Sequence, residues 1–282
     1  MSERVVSGAE PWFWALGIAV VGSGAAAFVD LVQLPIWNGQ PIRTSILAGV
    51  LFIWIANPLI RWMALLKMRR PDRCTAPPGM STAVVTTFVP GSEPLEMIEK
   101  SLVALIALEY PHDTWLLDEG DDENARALCE RLGVRHFSRK GRSRYQAHSG
   151  KYESASKHGN YNAWLEHIGY TSYEYLIAFD PDHLPRSSFA TEVLGYFAES
   201  RVGYVQAPQA YYNHHASWIA AGAAEETYDF NSTLQMAAHE SGYPLIIGCH
   251  NSHRLSALRE AGGYAKNASW NLPSAVVITR PC

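Results

Sequence analysis

Asp180-Pro181-Asp182-His183 sets two carboxylates one residue apart with an imidazole beside them. Those side chains suit a hard divalent cation such as Mg2+ or Mn2+, with His183 the weaker third ligand. Such an ion would bridge diphosphate oxygens and neutralise the charge on a leaving group. Asp and Pro are also ordinary turn formers, so the triplet alone is equally a surface turn. Its place in the chain carries more weight, because it directly follows YEYLIAF (173–179), an apolar run that reads as a buried strand.

Asp118-Glu119-Gly120-Asp121-Asp122 is a second acidic cluster. Asp118, at a strand end, suits a hydrogen bond from the uracil edge or ribose of a nucleotide. Asp121, Asp122 and Glu123 fit a solvated loop and the first turn of a helix, where the dipole favours acids. In Lys157-His158-Gly159-Asn160-Tyr161-Asn162, Lys157 and Asn160 share a helix face. A lysine among the free amides of a helix start makes an anion site, or simply an exposed first turn. Gln206-Ala207-Pro208-Gln209-Ala210-Tyr211-Tyr212-Asn213 offers side-chain types that bind sugar hydroxyls. His214, His215, His239, His250 and His253 show no zinc-site spacing.

Strands and helices must alternate to hold these groups. Strands are expected at 83–89, 114–117, 134–137, 173–179, 202–206 and 244–248. The helix after Pro90-Gly91 has Ser92 as its cap and Pro94 in its first turn. Further helices are expected at 123–132 (with Gly133 as C-cap), 156–168, 187–198, 217–239 and 253–261, the last closed by Gly262-Gly263. Residues 138–145 form a basic loop. The β-α-β-α order predicts an α/β fold, a mainly parallel sheet with flanking helices and ligands at the carboxyl ends of its strands. Asp118 and Asp180 both fall there.

The chain has 282 residues, 48% hydrophobic, and a formal charge of −4. That supports one large domain or two modest ones, with no basic excess to bind nucleic acid. Cys74, Cys129, Cys249 and Cys282 show no C-x-x-C pairing, so a disulfide framework is not expected and a reducing compartment is. The apolar residues concentrate near the start. Stretches 12–29 and 44–60, with WMALL just beyond, reach the roughly 17–25 residues that a membrane-spanning helix needs. Trp12, Trp14, Trp37 and Trp62 suit interfacial belts. A signal peptide and a buried core helix are the competing explanations. The expected division is a transmembrane hairpin over 1–70 (helices about 12–33 and 44–66), a linker at 71–81, the main domain at 82–265 and a tail at 266–282. Lys67, Arg69, Arg70 and Arg73 follow the second helix, which puts the main domain on the cytoplasmic side of the inner (plasma) membrane.

In this order the pieces resemble glycosyltransferase family 2, and closely its processive, cellulose synthase-like members, over roughly residues 82–264. The carriers are Lys-x-Gly-Asn-x-Asn, the D-x-D-His after its strand, and QAPQAYYN. The resemblance implies a GT-A fold, a UDP-sugar donor, a glycan or lipid acceptor, and inversion by direct attack of an acceptor hydroxyl. It places Asp118 on the uridine, Lys157 and Asn160 on the nucleotide side with Asp180, and Asp180 and Asp182 on the metal. Gln206, Gln209, Tyr212 and Cys249-His250-Asn251 fall on the acceptor side. The product would be a β-glycan or exopolysaccharide. A nucleotidyltransferase with a similar sheet would want a Gly-rich loop, and residues 89–92 are too poor in glycine.

The sequence also departs from the family. The general base there is an Asp in a Thr-Glu-Asp-like motif soon after the Gly-Gly turn. Here Gly262-Gly263-Tyr264 is followed by AKNASWNLPSAVVITRPC, which has no Asp or Glu. The later Gln-x-x-Arg-Trp motif and further membrane helices are also missing. The expectation is a divergent tail from about 266 in a truncated member. Such a chain would bind UDP-sugar and metal but transfer sugar on the order of 10²–10⁴-fold less well.

Overall fold

The computed structural model describes residues 2–4, 11–33, 39–240, 244–247, 249–265 and 275–277. Two long helices come first, α1 (Pro11–Val32) and α2 (Pro41–Lys67). Both are long and apolar enough to cross a membrane. None of the side chains described in α2 is buried, and Trp54 is 76% exposed, which removes the core-helix explanation. The Phe13 ring lies 4.4 Å from that of Trp62, so the start of α1 meets the end of α2 in an antiparallel pair. Trp37 lies outside the described residues. Two short strands, β1 (Ser2–Arg4) and β2 (Arg69–Pro71), pair antiparallel next to the helices.

The main sheet has seven strands in the order β5-β4-β3-β6-β8-β7-β9. They are β3 (Thr82–Phe88), β4 (Asp113–Asp118), β5 (Arg135–Phe137), β6 (Tyr175–Ala178), β7 (Tyr204–Gln206), β8 (Asn251–Arg254) and β9 (Ala275–Val277). β3 is parallel to β4 and β6, β4 to β5, and β7 to β9, whereas β8 runs antiparallel between β6 and β7. The α/β expectation holds, with one reversed strand.

All seven residues of β3 are buried, as in a parallel strand covered on both faces. Alternate residues feed opposite cores. Val84, Leu116 and Ile177 pack with Ile98 and Leu102 of α3 (Leu95–Ile106), Leu128 of α4 (Glu123–Leu132) and Val193 of α7 (Phe189–Leu194). Val85, Leu117 and Leu176 pack with Trp164 of α5 (Lys157–Trp164) and Leu258 of α10 (Leu255–Glu260). The helix expected over 156–168 is present: α5, capped by Ser156, continues through a π-helical segment at Leu165–Gly169 into the short α6 (Tyr170–Ser172). α8 (Trp218–Asp229) and α9 (Gln235–Glu240) are likewise joined by a π-turn. Arg61 of α2 pairs with Asp229 of α8 at 2.7 Å, tying the apolar helices to the main domain.

Three local expectations give way to competing hydrogen bonds. Ser92 does not cap α3. Pro94 holds the preceding residue out of the helix, and Glu93 accepts from the Val89 amide at 2.7 Å instead. Residues 244–247 form no strand, and Gly248 lies outside the described residues. The amide and carbonyl of Leu245 bond to the Gln235 side chain, and the Ile247 amide to Gln206. His253 sits in β8 rather than opening a helix, because its backbone joins the ladder with Leu176 and Tyr204. Gly133 does close α4 in the left-handed region, with φ 71°. Of the tail at 266–282, only β9 lies within the described residues.

Candidate functional site

β6 delivers the acidic turn. The His183 amide closes it on the Asp180 carbonyl at 3.1 Å, and the Ser101 hydroxyl of α3 lies 2.5 Å from the Pro181 carbonyl and 3.1 Å from that of His183. The Ser101 hydroxyl of α3 therefore helps to hold the turn in place. Lys157, the first residue of α5, forms an ion pair with Asp180. The Asp182 side chain is 67% exposed, with the His183 Nδ1 3.1 Å away.

The start of α5 explains its own sequence. Ser156 caps it by accepting from the Gly159 amide at 3.1 Å. A Cβ at Gly159 would lie 2.2 Å from the Glu153 carbonyl oxygen and 2.7 Å from the Arg139 guanidinium, so only glycine fits. Asn160 is buried and donates to the Leu117 carbonyl at 3.2 Å, tying α5 to the end of β4.

Asp118 is fully buried. Its carboxylate accepts from the Gly120 amide (2.9 Å) and the Asp122 amide (2.6 Å), and lies 3.0 Å from His136 Nε2. It shapes the loop after β4 and is not among the residues that line the cleft described below. Glu119 faces the cleft instead. Its two oxygens take bonds of 2.8 and 2.9 Å from Arg139, whose fully buried guanidinium also donates to the Tyr145 and Glu153 carbonyls. Asp122 caps α4 and Asp121 pairs with Arg126, the loop-and-helix roles expected of them.

A cleft of about 460 Å³ at the carboxyl ends of β3, β4 and β6 gathers Glu93, Glu119, Lys157, Asn160, Asp180 and Asp182. Burial raises the Glu93 carboxyl above its ordinary range, helped by Asp180 and Asp182 and opposed by the Val89 amide. Glu93, Glu119 and Arg139 escaped the sequence reading. Glu119 and Arg139 lie within the acidic cluster and the basic loop and Glu93 just after Pro90-Gly91, and only the tertiary contacts single them out.

A second cleft, about 700 Å³, adjoins it through Asp182 and takes in His183, Gln209, Tyr212 and His250. Gln206 and Asn251, expected on the same side, are buried away from it. The Gln206 amide bonds to the Cys249 carbonyl and the Ile247 amide, and Asn251 bonds to the Ile247 carbonyl and the Tyr264 hydroxyl. Cys249 is buried behind the cleft, and burial, with Asp180 near by, pushes its thiol up. Burial pushes the His250 imidazole down to about 3, with a contribution from His183. Among the described residues, three groups lie close enough to share an ion: Asp180, Asp182 and His183; His183, Cys249 and His250; and Asp118, Asp121 and His136. His214, His215, His239 and His253 belong to none of them.

No protein-family model matches the chain. Over 134 residues it is 29% identical to the cellulose synthase catalytic subunit (UDP-forming) of Xanthomonas axonopodis pv. citri (strain 306), covering 46% of this chain and 16% of that protein. Over 189 residues it is 21% identical to cellulose synthase 1 of Komagataeibacter xylinus, covering 65% of this chain and 11% of that protein. The matches therefore span a small part of the relatives' length. The mannosyltransferase PcManGT from Pyrobaculum calidifontis, solved in complex with GDP-Man and Mn2+, superposes with a TM-score of 0.57 at 16% identity, covering 94% of this chain and 66% of that one. The chain has a GT-A fold and, over part of its length, resembles cellulose synthases. These relatives and this structural counterpart are glycosyltransferases. Within the GT-A domain, the acidic turn after β6 and the lysine of α5 meet at the sheet's carboxyl edge, where such folds bind ligands.

Proposed function

We propose that the chain is a membrane-anchored glycosyltransferase that moves a sugar from a UDP-sugar to a glycan or lipid acceptor. The observation that carries this reading is the meeting of Lys157, Asp180 and Asp182 in one cleft at the carboxyl ends of parallel strands. The chemistry of the cleft fits a divalent ion: Asp180, Asp182 and His183 offer ligand atoms within 4.8 Å of one another. Mg2+ or Mn2+ held there would offset the charge of the diphosphate leaving group. Lys157 adds a positive charge at the start of α5, where the helix dipole also favours an anion. Support for the donor class comes from the UDP-forming relative, and for the metal from the Mn2+ complex of the structural counterpart.

The acceptor would enter through the adjoining cleft, where Gln209 and Tyr212 offer hydrogen bonds to sugar hydroxyls. Its hydroxyl oxygen would bond to the anomeric carbon as the bond to the diphosphate oxygen breaks and the hydroxyl proton passes to a base or to solvent, inverting an α-linked donor to a β-linkage. α1 and α2 would anchor the protein in the inner (plasma) membrane. Lys67, Arg69, Arg70 and Arg73 favour a cytoplasmic main domain. A second reading, donor binding with impaired transfer, is favoured by one observation. Among the described residues lining the acceptor-side cleft, Asp182 is the one carboxylate, and it is a candidate metal ligand rather than a free base.

UDP binding to the detergent-solubilised chain, with and without Mn2+ or Mg2+, followed by UDP release from a panel of UDP-sugars, tests both readings. Metal-dependent binding with turnover of one sugar supports transfer. Binding without turnover of any sugar supports the second reading, and no metal-dependent binding overturns both.

A further inference from the structure

We infer that His183, Cys249 and His250 form a second cation site, distinct in chemistry from the D-x-D turn and suited to a borderline first-row ion such as Zn2+ or Co2+. One thiol sulfur and two imidazole nitrogens lie within 4.8 Å of one another. In a tetrahedral zinc site the ligand atoms stand about 3.3–3.8 Å apart, so side-chain rotations of about 1 Å close the set. The D-x-D carboxylates suit hard ions, whereas a thiolate with two imidazoles prefers softer ones.

His250 supplies the independent observation. It is 3% exposed, and neither ring nitrogen has a hydrogen-bond partner. A buried imidazole left in that state costs free energy, and an ion would satisfy one nitrogen. Its ring lies 5.5 Å from that of His183, on the wall of the acceptor-side cleft. Three protein ligands would leave a fourth position for water or another exchangeable ligand, the pattern of reactive rather than closed structural sites. Binding would convert the Cys249 thiol to a metal thiolate and release its proton to solvent. His183 belongs to both ligand groups, so an ion here would draw it from the acidic turn.

Titration of the full chain in detergent micelles with Co2+, in the absence of nucleotide, tests the site. One equivalent should produce a thiolate-to-cobalt charge-transfer band together with the visible bands of a tetrahedral ion, and Zn2+ should bleach both. Cys249→Ser should abolish the charge-transfer band, and His250→Asn, which keeps the thiol, should weaken Co2+ binding at least tenfold. Asp182→Asn and Cys74→Ser should retain the band. Absence of the band in the unsubstituted chain overturns the inference. So does a band that survives Cys249→Ser or disappears with Asp182→Asn. Far-ultraviolet circular dichroism confirms that each variant is folded, and His250→Asn decides the matter if Cys249→Ser is not.

Discussion

Lys157 and Asp180 form an ion pair that joins the first residue of α5 to the turn after β6. Both side chains are about one-third exposed (39% and 31%), so the pair contributes little to stability and is free to exchange partners. A bound diphosphate would take the lysine and a cation would take the carboxylate. Lys157→Ala should weaken UDP binding roughly 10–100-fold, the worth of one charge-assisted hydrogen bond. Isothermal titration calorimetry of UDP against both proteins measures it, and unchanged affinity would remove Lys157 from the donor site.

Metal removal and Asp182→Asn should act on the same step. EDTA is expected to lower the UDP affinity of the unsubstituted chain at least tenfold. Asp182→Asn should start from that lowered value and show no further loss with EDTA. A variant that still responds to EDTA would place the ion elsewhere.

Arg139 is a buried cation held by Glu119 and backbone carbonyls. Arg139→Met leaves Glu119 with only the Ala155 amide and no cation, and should cost about 3–5 kcal/mol of unfolding free energy. Adding Glu119→Gln should recover part of that loss, because the stranded charge goes too. Urea denaturation of the two variants separates the pair from the arginine's remaining contacts.

Gly159→Ala would push a methyl group into the Glu153 carbonyl and the Arg139 guanidinium. The loop ahead of α5 must shift, at about 1–3 kcal/mol. Donor affinity should fall with it, since Lys157 rides on the same turn. Thermal unfolding and UDP calorimetry on one sample check both effects.

His253 gives a pH signature. Burial holds its imidazole down to about 3, against an ordinary value of about 6.5. Between those values the unfolded chain binds a proton that the folded chain refuses. Stability is therefore whole above about pH 6.5 and declines with acid, by at most about 1.4 kcal/mol per pH unit for this residue. His253→Gln should flatten that part of the acid limb in urea midpoints measured between about pH 4 and pH 7.

The strands and helices built on local pattern were legible in the sequence. β3, α4 with its Gly133 cap, and both apolar helices stand within a few residues of expectation. Elements whose backbone groups find partners far along the chain were not. β8 pairs with strands some 75 residues and some 50 residues earlier in the chain, and Gln235 and Gln206 take the bonds that a strand at 244–247 would have made.

The same division runs through the site. By itself the sequence determined which side chains are chemically able to bind a metal diphosphate, and that an acidic turn would follow a buried strand. Charge, ligand type and hydrophobic period are local properties. Tertiary structure alone decided which of those side chains face the cleft. It turned Asp118, Gln206 and Asn251 inward to satisfy buried backbone and side-chain groups, brought Glu93 and Glu119 to the opening, and set Cys249 and His250 beside His183. The physical reason is that a buried polar atom must find a partner, and that partner is fixed by packing between segments distant in sequence.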